Sequence, residues 1–222
     1  LKEQDREDRL TKHWVWTATE YDRLDEKDIT PFLRSLNAQI QFDQAVQASQ
    51  TYMDSKISGP PRQTSEKSTN KVLAKQLKDK QEGLKETVTR YNAIALKDGA
   101  INLEGGEWAI ASITEIGKAY DNYAEAIINS YIPYWLSEGQ TEMYQMNLED
   151  RSYQYEQKAI DYYTKALDIS FEAQLYNDVS AYVTRRLGEL RPSEFPARDE
   201  ELKTPNYLSS KVQTRTFIET AE

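Results

Sequence analysis

The stretch KAIDYYTKALDISF, residues 158–171, decides the fold that the sequence predicts. Its Ala159, Tyr163, Ala166 and Leu167 recur at steps of one, three and four residues, which places them on one side of an α-helix. The two alanines are small enough to let a neighbouring helix approach closely, and Tyr163 is large enough to fill the space between helices. The stretch therefore predicts a buried helix, either in an ordinary core or in a helical repeat.

The composition favours an all-α fold for the whole chain. The 222 residues are 38% hydrophobic and 29% charged, which is enough for a core with much hydrated surface. Only eight glycines and seven prolines occur, and long segments run without either, as in helices rather than turn-rich β structure. Helical spacing recurs in the segments 28–57, 71–97, 107–130, 153–170 and 172–190.

Breaks in this pattern divide the chain into three predicted parts. The segment 58–70, SGPPRQTSEKSTN, has two prolines and no aliphatic or aromatic residue, so it predicts an exposed loop between two long helices. These helices predict a hairpin within 1–97, either an extended arm or a pair packed on the rest of the chain. The linker DGAINLEGG at 98–106 begins a second helical domain over 98–192, and 193–222 is predicted to be an extended tail.

Local signals mark where several helices begin and end. Thr30 before Pro31 predicts a helix start, because proline suits the first helical position. Ser137 and Gln140 have the spacing of a capping box, in which each side chain bonds the backbone amide of the other. From this box we predict one helix that ends near residue 150, followed by a separate helix over 153–170.

Two motifs within 107–192 resemble the tetratricopeptide repeat, a helix–turn–helix unit of about 34 residues. The small–aromatic–small spacing of its second helix and the leucine-glycine-x-x-tyrosine step of its first are matched by Ala159, Tyr163, Ala166, Ile116, Gly117 and Tyr120. The motifs are one helical turn out of register with a single period, so the resemblance is to a degenerate repeat or a similar α-α superhelix. It implies that the six residues pack between helices; core packing without repeat ancestry is the alternative.

The residue patterns of IGKAYDNYAEAI and of the LGELRP ending also resemble those of helical-repeat proteins in bacterial envelope machines, such as those of gliding motility. This resemblance implies a place in the periplasm or cell envelope, if a signal peptide was removed before Leu1. The residues leave the location otherwise open.

Tyrosine is the strongest sign of a binding surface. Eleven of the fifteen tyrosines lie between residues 120 and 182. An apolar ring with a polar hydroxyl suits half-hydrated interfaces, although tyrosines also fill spaces between helices. By periodicity we predict that Tyr120 and Tyr163 are buried. The candidates for an exposed partner-binding surface are Tyr123, Tyr131, Tyr134, Trp135 and Tyr162.

The residue inventory excludes several classes of catalytic and metal site. The chain has no cysteine, and His13 is its only histidine, so thiolate catalysis, cysteine-bound zinc and sites that need two histidines cannot form. No glycine-rich phosphate-binding motif occurs. The net charge of −9 disfavours nucleic acid and anionic membranes, and no apolar run approaches the ~20 residues that span a bilayer. We predict no cofactor, no metal, no nucleic-acid partner and no membrane insertion.

The sequence thus predicts a non-catalytic scaffold that binds other proteins within a multiprotein assembly. The main alternative is a permanent structural subunit of a larger complex. The third hypothesis is an enzyme that uses carboxylates, which are the remaining groups suited to acid–base chemistry. Partner identity and oligomeric state stay open.

Overall fold

The computed structural model describes residues 12–14, 16–62 and 64–196. The described chain is mostly helical, which confirms the all-α prediction. Helical residues at 12–14 and 16–21 precede five longer helices, which are α1 Pro31–Asp54, α2 Glu66–Ala95, α3 Glu107–Ile128, α4 Glu138–Glu172 and α5 Asp178–Leu190. Of the predicted tail, 193–222, only residues 193–196 are among the described residues. Among the described helices, none combines the length and the apolar composition needed to cross a bilayer.

Two helix starts lie where the local signals predict them. The Thr30 hydroxyl accepts a hydrogen bond from the Leu33 amide at 3.3 Å, and the proline that follows Thr30 is the first residue of α1. The Ser137 amide donates to Gln140 Oε1 at 2.9 Å, which is half of the predicted capping box at the start of α4. Both predicted helix starts are confirmed. In each, a polar side chain accepts a hydrogen bond from a backbone amide that the helix start leaves without a partner.

Helix α5 begins six residues later than the spacing predicts. Gln174 has a left-handed backbone, with φ of +56°, which ends the preceding helix. The Asn177 side chain then accepts hydrogen bonds from the amides of Val179 and Ser180, so that Asp178 becomes the first helical residue. An asparagine cap therefore sets this boundary rather than the apolar pattern.

The predicted break near residue 150 is wrong, because α4 continues through it. The helix runs without interruption over Glu138–Glu172, a length of 35 residues. No glycine or proline occurs between residues 140 and 172 to end it, and Leu148 and Ser152 keep a narrow buried stripe across the expected gap. One helix is thus as long as a whole repeat of about 34 residues. No repeat architecture is identified in the described part of the chain, so the repeat resemblance stays a prediction.

Helix α3 occupies the centre of the bundle. A short antiparallel pair of strands, β1 Leu96–Lys97 and β2 Ala100–Ile101, turns the chain from α2 into α3. Helices α1, α2, α4 and α5 all pack against α3, whereas α2 and α4 pack on α3 rather than on each other. Helices α1 and α2 therefore pack on the remainder of the described chain. The predicted hairpin and the domain boundary near residue 97 stay predictions.

The loop predicted to be exposed over 58–70 is partly packed and ends early. Helix α2 begins at Glu66, and Gly59 is buried beneath the ring of Tyr131. A Cβ at Gly59 would lie 2.5 Å from a carbon of that ring, and its φ is +70°, so only glycine fits without strain. The Gly59 amide also donates to Gln76 Oε1 at 3.0 Å. These contacts hold the loop against the bundle.

The residues matched to the repeat motifs lie in the core. The ring of Tyr163 packs against Gly117, where a Cβ would lie 2.6 Å from the ring carbon Cε1. The small residue at 117 therefore lets α3 and α4 approach closely. Four of the six matched residues are fully buried and Gly117 is buried as well, while Tyr120 is half-buried; the fully buried ones are Ile116, Ala159, Tyr163 and Ala166.

Candidate functional site

A groove opens between α2 and α4, with α3 as its floor. It forms because both walls pack on α3 and leave the space above the C-terminal half of α3 uncovered. Its walls run from Asn70 to Gln81 on α2 and from Tyr144 to Tyr155 on α4, about three helical turns or ~16 Å on each side. The groove encloses about 500 Å³, which is within the range of ligand-binding pockets.

We name this feature the tyrosine groove. Its floor consists of Tyr123, Ile127 and Ser130, and its principal wall residues are Leu73, Ala74, Leu77, Tyr144, Leu148 and Tyr155. Aliphatic side chains thus alternate with phenol rings, and polar groups stand at the edges. Surfaces of this mixture favour partners with an apolar body and hydrogen-bonding groups.

Tyr123 lies in the floor of the groove, which corrects the prediction that it is exposed. Only 2% of its surface is accessible, because it follows Ile116 and Ala119 on the face of α3 that meets the core. Its ring contacts that of Tyr155 edge-on, with centroids 4.5 Å apart. Burial, together with the neighbouring Tyr155 phenol, raises the pKa of Tyr123 to about 12. The floor therefore presents a neutral phenol at physiological pH.

Ser130 supplies a buried hydroxyl without a partner. The residue is 9% exposed, and its Oγ makes no hydrogen bond within the described residues. It follows the end of α3, where its own amide donates to the Ile127 carbonyl at 3.1 Å. An unpaired buried polar group destabilises a fold by about 1–3 kcal/mol. A ligand group that enters the groove and bonds this oxygen would remove that penalty.

The predicted aromatic residues after α3 follow Ser130 of the groove floor along the chain. The Tyr131 amide donates to the carbonyl of Ile57, a groove-lining residue, at 2.9 Å. The Tyr134 hydroxyl donates to the Thr64 carbonyl at 3.3 Å, and its ring meets that of Trp135 edge-on at 5.2 Å. We name Tyr131, Tyr134 and Trp135 the aromatic loop. Tyr134 is 53% exposed, whereas Tyr131 and Trp135 are half-buried.

Tyr162 does not line the groove. Its ring stacks on that of Tyr120, with centroids 5.5 Å apart and planes 15° apart, and it is half-buried. Of the five predicted binding residues, the structure places Tyr123 in the groove floor and joins Tyr131 to the groove-lining Ile57, whereas Tyr134 and Trp135 lie in the loop that follows Ser130. Tyr162 packs between α3 and α4.

The sequence analysis missed most of the groove walls. On α4, Tyr144, Leu148 and Tyr155 follow steps of four and seven residues, a helical stripe that the predicted break near residue 150 concealed. On α2, the wall residues Leu73 and Leu77 lie in a segment for which only helical spacing was predicted. The continuous stripe on α4 is the signal that could have located the site.

A buried lysine of α2 caps the C-terminal end of α1. Lys80 Nζ donates to the carbonyls of Tyr52 at 2.8 Å and Ser55 at 2.7 Å and to Asn122 Oδ1 at 2.5 Å. Desolvation lowers the pKa of Lys80 to about 8, against the opposing effect of the nearby Asp54 carboxylate. All three of its protons are donated to acceptors at the C-terminal end of α1 and on α3. Lys80 therefore acts as a structural cap that joins three helices.

A buried carboxylate joins α5 to α3. Asp121 accepts from Arg186 Nε at 2.6 Å and Nη2 at 2.8 Å, and the Tyr163 hydroxyl donates to the same carboxylate at 3.3 Å. Two parallel bonds of this kind fix geometry as well as charge. Across the described residues, no group of three or more histidine, aspartate or glutamate side chains is arranged to hold a metal ion.

Comparison with protein-family models, curated proteins and solved structures finds no match to this chain.

Proposed function

We propose that the chain is a non-catalytic protein-binding scaffold of a multiprotein assembly, and that the tyrosine groove with the aromatic loop is its binding site. The observation that carries the proposal is an apolar groove of about 500 Å³ whose floor holds the unpaired, buried Ser130 hydroxyl. Covering the walls would remove apolar surface from water, which stabilises a complex by roughly 25 cal/mol per Å². Bonding the hydroxyl would add to this gain.

The shape of the groove favours a protein segment as the ligand. Two walls of about three helical turns each match the mode in which an amphipathic helix lays its apolar face into a groove. Tyrosine and tryptophan are enriched among residues that dominate binding energy, and Tyr134 and Trp135 contact each other in the loop that follows Ser130 of the groove floor. Pro133 between Tyr131 and Tyr134 restricts the loop, which lowers the entropy lost on binding.

A permanent structural subunit is the second reading, and the exposed apolar side chains on α4 favour it. Met143, Met146 and Tyr153 are each more than half exposed in the described chain. An obligate subunit would keep such residues covered and would aggregate or partly unfold when isolated, whereas a binding module stays folded alone. The similarity to bacterial envelope proteins extends either proposal to an assembly of the cell envelope.

Site-specific photo-crosslinking tests the proposal. A benzophenone amino acid at Gln81, inside the groove, is expected to capture a protein from a lysate of the source cells. Ala74→Trp should abolish this capture, because Ala74 is exposed on the groove wall and the indole would fill the space. The matched control is Ala181→Trp at an exposed position of α5. Equal capture by both variants would show that the groove is not the binding site.

A further inference from the structure

An exposed apolar seam runs along the N-terminal half of α4. Met143, Met146, Asp150 and Tyr153 follow steps of three, four and three residues, the spacing of a coiled-coil seam. Met143, Met146 and Tyr153 are 64%, 63% and 56% exposed, so no described residue covers them. We name these four residues the methionine seam. Large apolar side chains in a row on one helix face mark a surface that binds another protein.

A row of glutamates flanks the methionine seam. Glu142, Glu149 and Glu156 recur at intervals of seven residues, or about 10.5 Å along the helix. Each lies three or four residues from Met146 or Tyr153, which makes it a neighbour of the seam on the helix surface. None of the three forms an ion pair within the described chain.

A row of lysines with the same interval flanks the tyrosine groove. Lys71, Lys78 and Lys85 are exposed on α2, also seven residues apart. Each lies three or four residues from Ala74 or Gln81 of the groove wall. Within the described residues only Lys78 of the three has an acidic partner, an exposed contact of 3.7 Å to Glu82. Pairs of this kind contribute little.

We infer that the occupant of the tyrosine groove is the methionine seam of a second copy of this chain. The groove is mostly apolar, three of the four seam residues are apolar, and the two surfaces are about equally long; the lysine and glutamate rows have equal pitch and opposite charge. Seating the seam in the groove brings each glutamate opposite a lysine, and brings Asp150 towards Arg151, a groove residue without an acidic partner in the described chain. The inference rests on the proposed function and names its partner.

The arrangement is a head-to-tail one. Groove and seam are different surfaces of one chain, so the contact is heterologous, and after pairing one copy keeps a free groove and the other a free seam. Such contacts continue until a ring closes or a filament grows. The net charge of −9 opposes association in general, and the local lysine row supplies the attraction that the remainder of the surface lacks.

Sedimentation of the full chain from ~1 μM to ~1 mM is the first measurement. We expect a mass that rises with concentration above the 25.7 kDa of one chain and falls back in high salt, because salt screens the paired rows. A wild-type chain that stays monomeric over the whole range would overturn the inference. If Gln81 still crosslinks to another protein in that case, the proposed function stands on its own.

A mixture of two variants, each with one of the two surfaces disrupted, tests whether the contact is head-to-tail. Ala74→Trp closes the groove and keeps the seam, whereas Met146→Glu breaks the seam and keeps the groove. Each alone should associate at least roughly tenfold more weakly than wild type. An equimolar mixture should form a two-chain complex and nothing larger, since one chain supplies the only intact groove and the other the only intact seam. A mixture without complexes would overturn the inference, as would undiminished self-association of either variant.

Charge reversal tests the paired rows at five exposed positions and at the half-buried Glu156, and circular dichroism verifies that each variant is folded. One variant changes the three row lysines to glutamate and another changes the three row glutamates to lysine. Each should lose self-association alone and regain it when mixed with the other. The control variant has the same net charge as the first and changes Lys27, Lys56 and Lys165 to glutamate, outside the row. Association that falls equally in the control would assign the effect to net charge and contradict the pairing.

Discussion

Gly117 of α3 and Tyr163 of α4 are in direct contact, so close that a Cβ at residue 117 would lie 2.6 Å from the tyrosine ring. The Tyr163 hydroxyl at the other end of the same ring donates to Asp121, which Arg186 of α5 also binds. This one tyrosine therefore sets the spacing of α3 and α4 and connects them to α5. Burial raises its pKa, and the Asp121 carboxylate adds to this effect.

Gly117→Ala should destabilise the protein by about 2 kcal/mol, because the added methyl overpacks a full contact. Measurement of the free energy of unfolding in urea checks this. The matched control is Gly139→Ala in the first turn of α4, where a Cβ would meet nothing within 4 Å. There the better helix propensity of alanine should stabilise by up to about 1 kcal/mol. Changes of the same sign at both positions would contradict the contact.

Lys80→Met should destabilise the protein by about 3 kcal/mol. The change keeps the apolar stem but leaves the carbonyls of Tyr52 and Ser55 and the Asn122 amide oxygen without a donor. Lys78→Met, two residues away and exposed, should change stability by less than about 0.5 kcal/mol. Thermal and urea unfolding of the two variants measure the difference. Equal small effects would mean that water replaces the ammonium group without loss.

Stability should fall as pH rises above about 10. Burial raises the pKa of five tyrosines above their usual value near 10, to about 12 for Tyr123; the others are Tyr52, Tyr91, Tyr120 and Tyr163. Above pH 10 the unfolded chain loses phenolic protons that the folded chain retains, so the free energy of unfolding decreases. Lys80, with its pKa lowered to about 8, has the opposite effect between about pH 8 and 10.5. One lysine opposes five tyrosines, so the tyrosines dominate once they begin to ionise.

Urea unfolding at pH 8–11, with phenolate absorbance recorded on the same samples, measures this dependence. Tyr123→Phe is the control, because removal of one shifted phenol should make the decline with pH less steep. An unfolding free energy that stays constant up to pH 11 would contradict the burial of these hydroxyls.

Tyr134→Ala should weaken partner binding and leave the fold intact. Its ring is 53% exposed and bonds the rest of the chain through one long hydrogen bond, so truncation should lower stability by less than about 1 kcal/mol. As an interface anchor it should account for about 2 kcal/mol, or roughly thirtyfold in affinity. Capture at the groove and thermal melting are measured side by side. Loss of stability with unchanged capture would make the aromatic loop a packing element.

Much of the fold follows from local features of the sequence. Thr30 with Pro31 and Ser137 with Gln140 set helix starts through side chains within three residues, and such short-range contacts can be inferred without a structure. The course of α4 could not be inferred in this way. Its polar run near residue 150 resembles a boundary, but a helix ends only where a breaking residue or a competing cap occurs, and neither is present there.

The candidate site was harder to predict because it depends on which helices remain apart. Periodicity places Tyr123 on a helix face but does not show which helix covers it, so its burial beside Tyr155 was missed. The exposure of Tyr134 follows from its position in a loop and was predicted correctly. The open space between α2 and α4 arises from packing of both on α3, a long-range property that no single segment contains.

The uneven burial of α4 has a consequence for how the molecule opens. Only two of its nine buried residues, Leu148 and Ser152, precede residue 156, and the other seven follow it. Backbone hydrogen bonds alone hold a helix weakly, so the segment with less tertiary packing opens more often. Amide hydrogens in the first half of α4 should therefore exchange with deuterium faster than those in the second half. A single continuous helix would then belong to two cooperative units, and the α4 wall of the groove and the seam would both lie on the one that opens first.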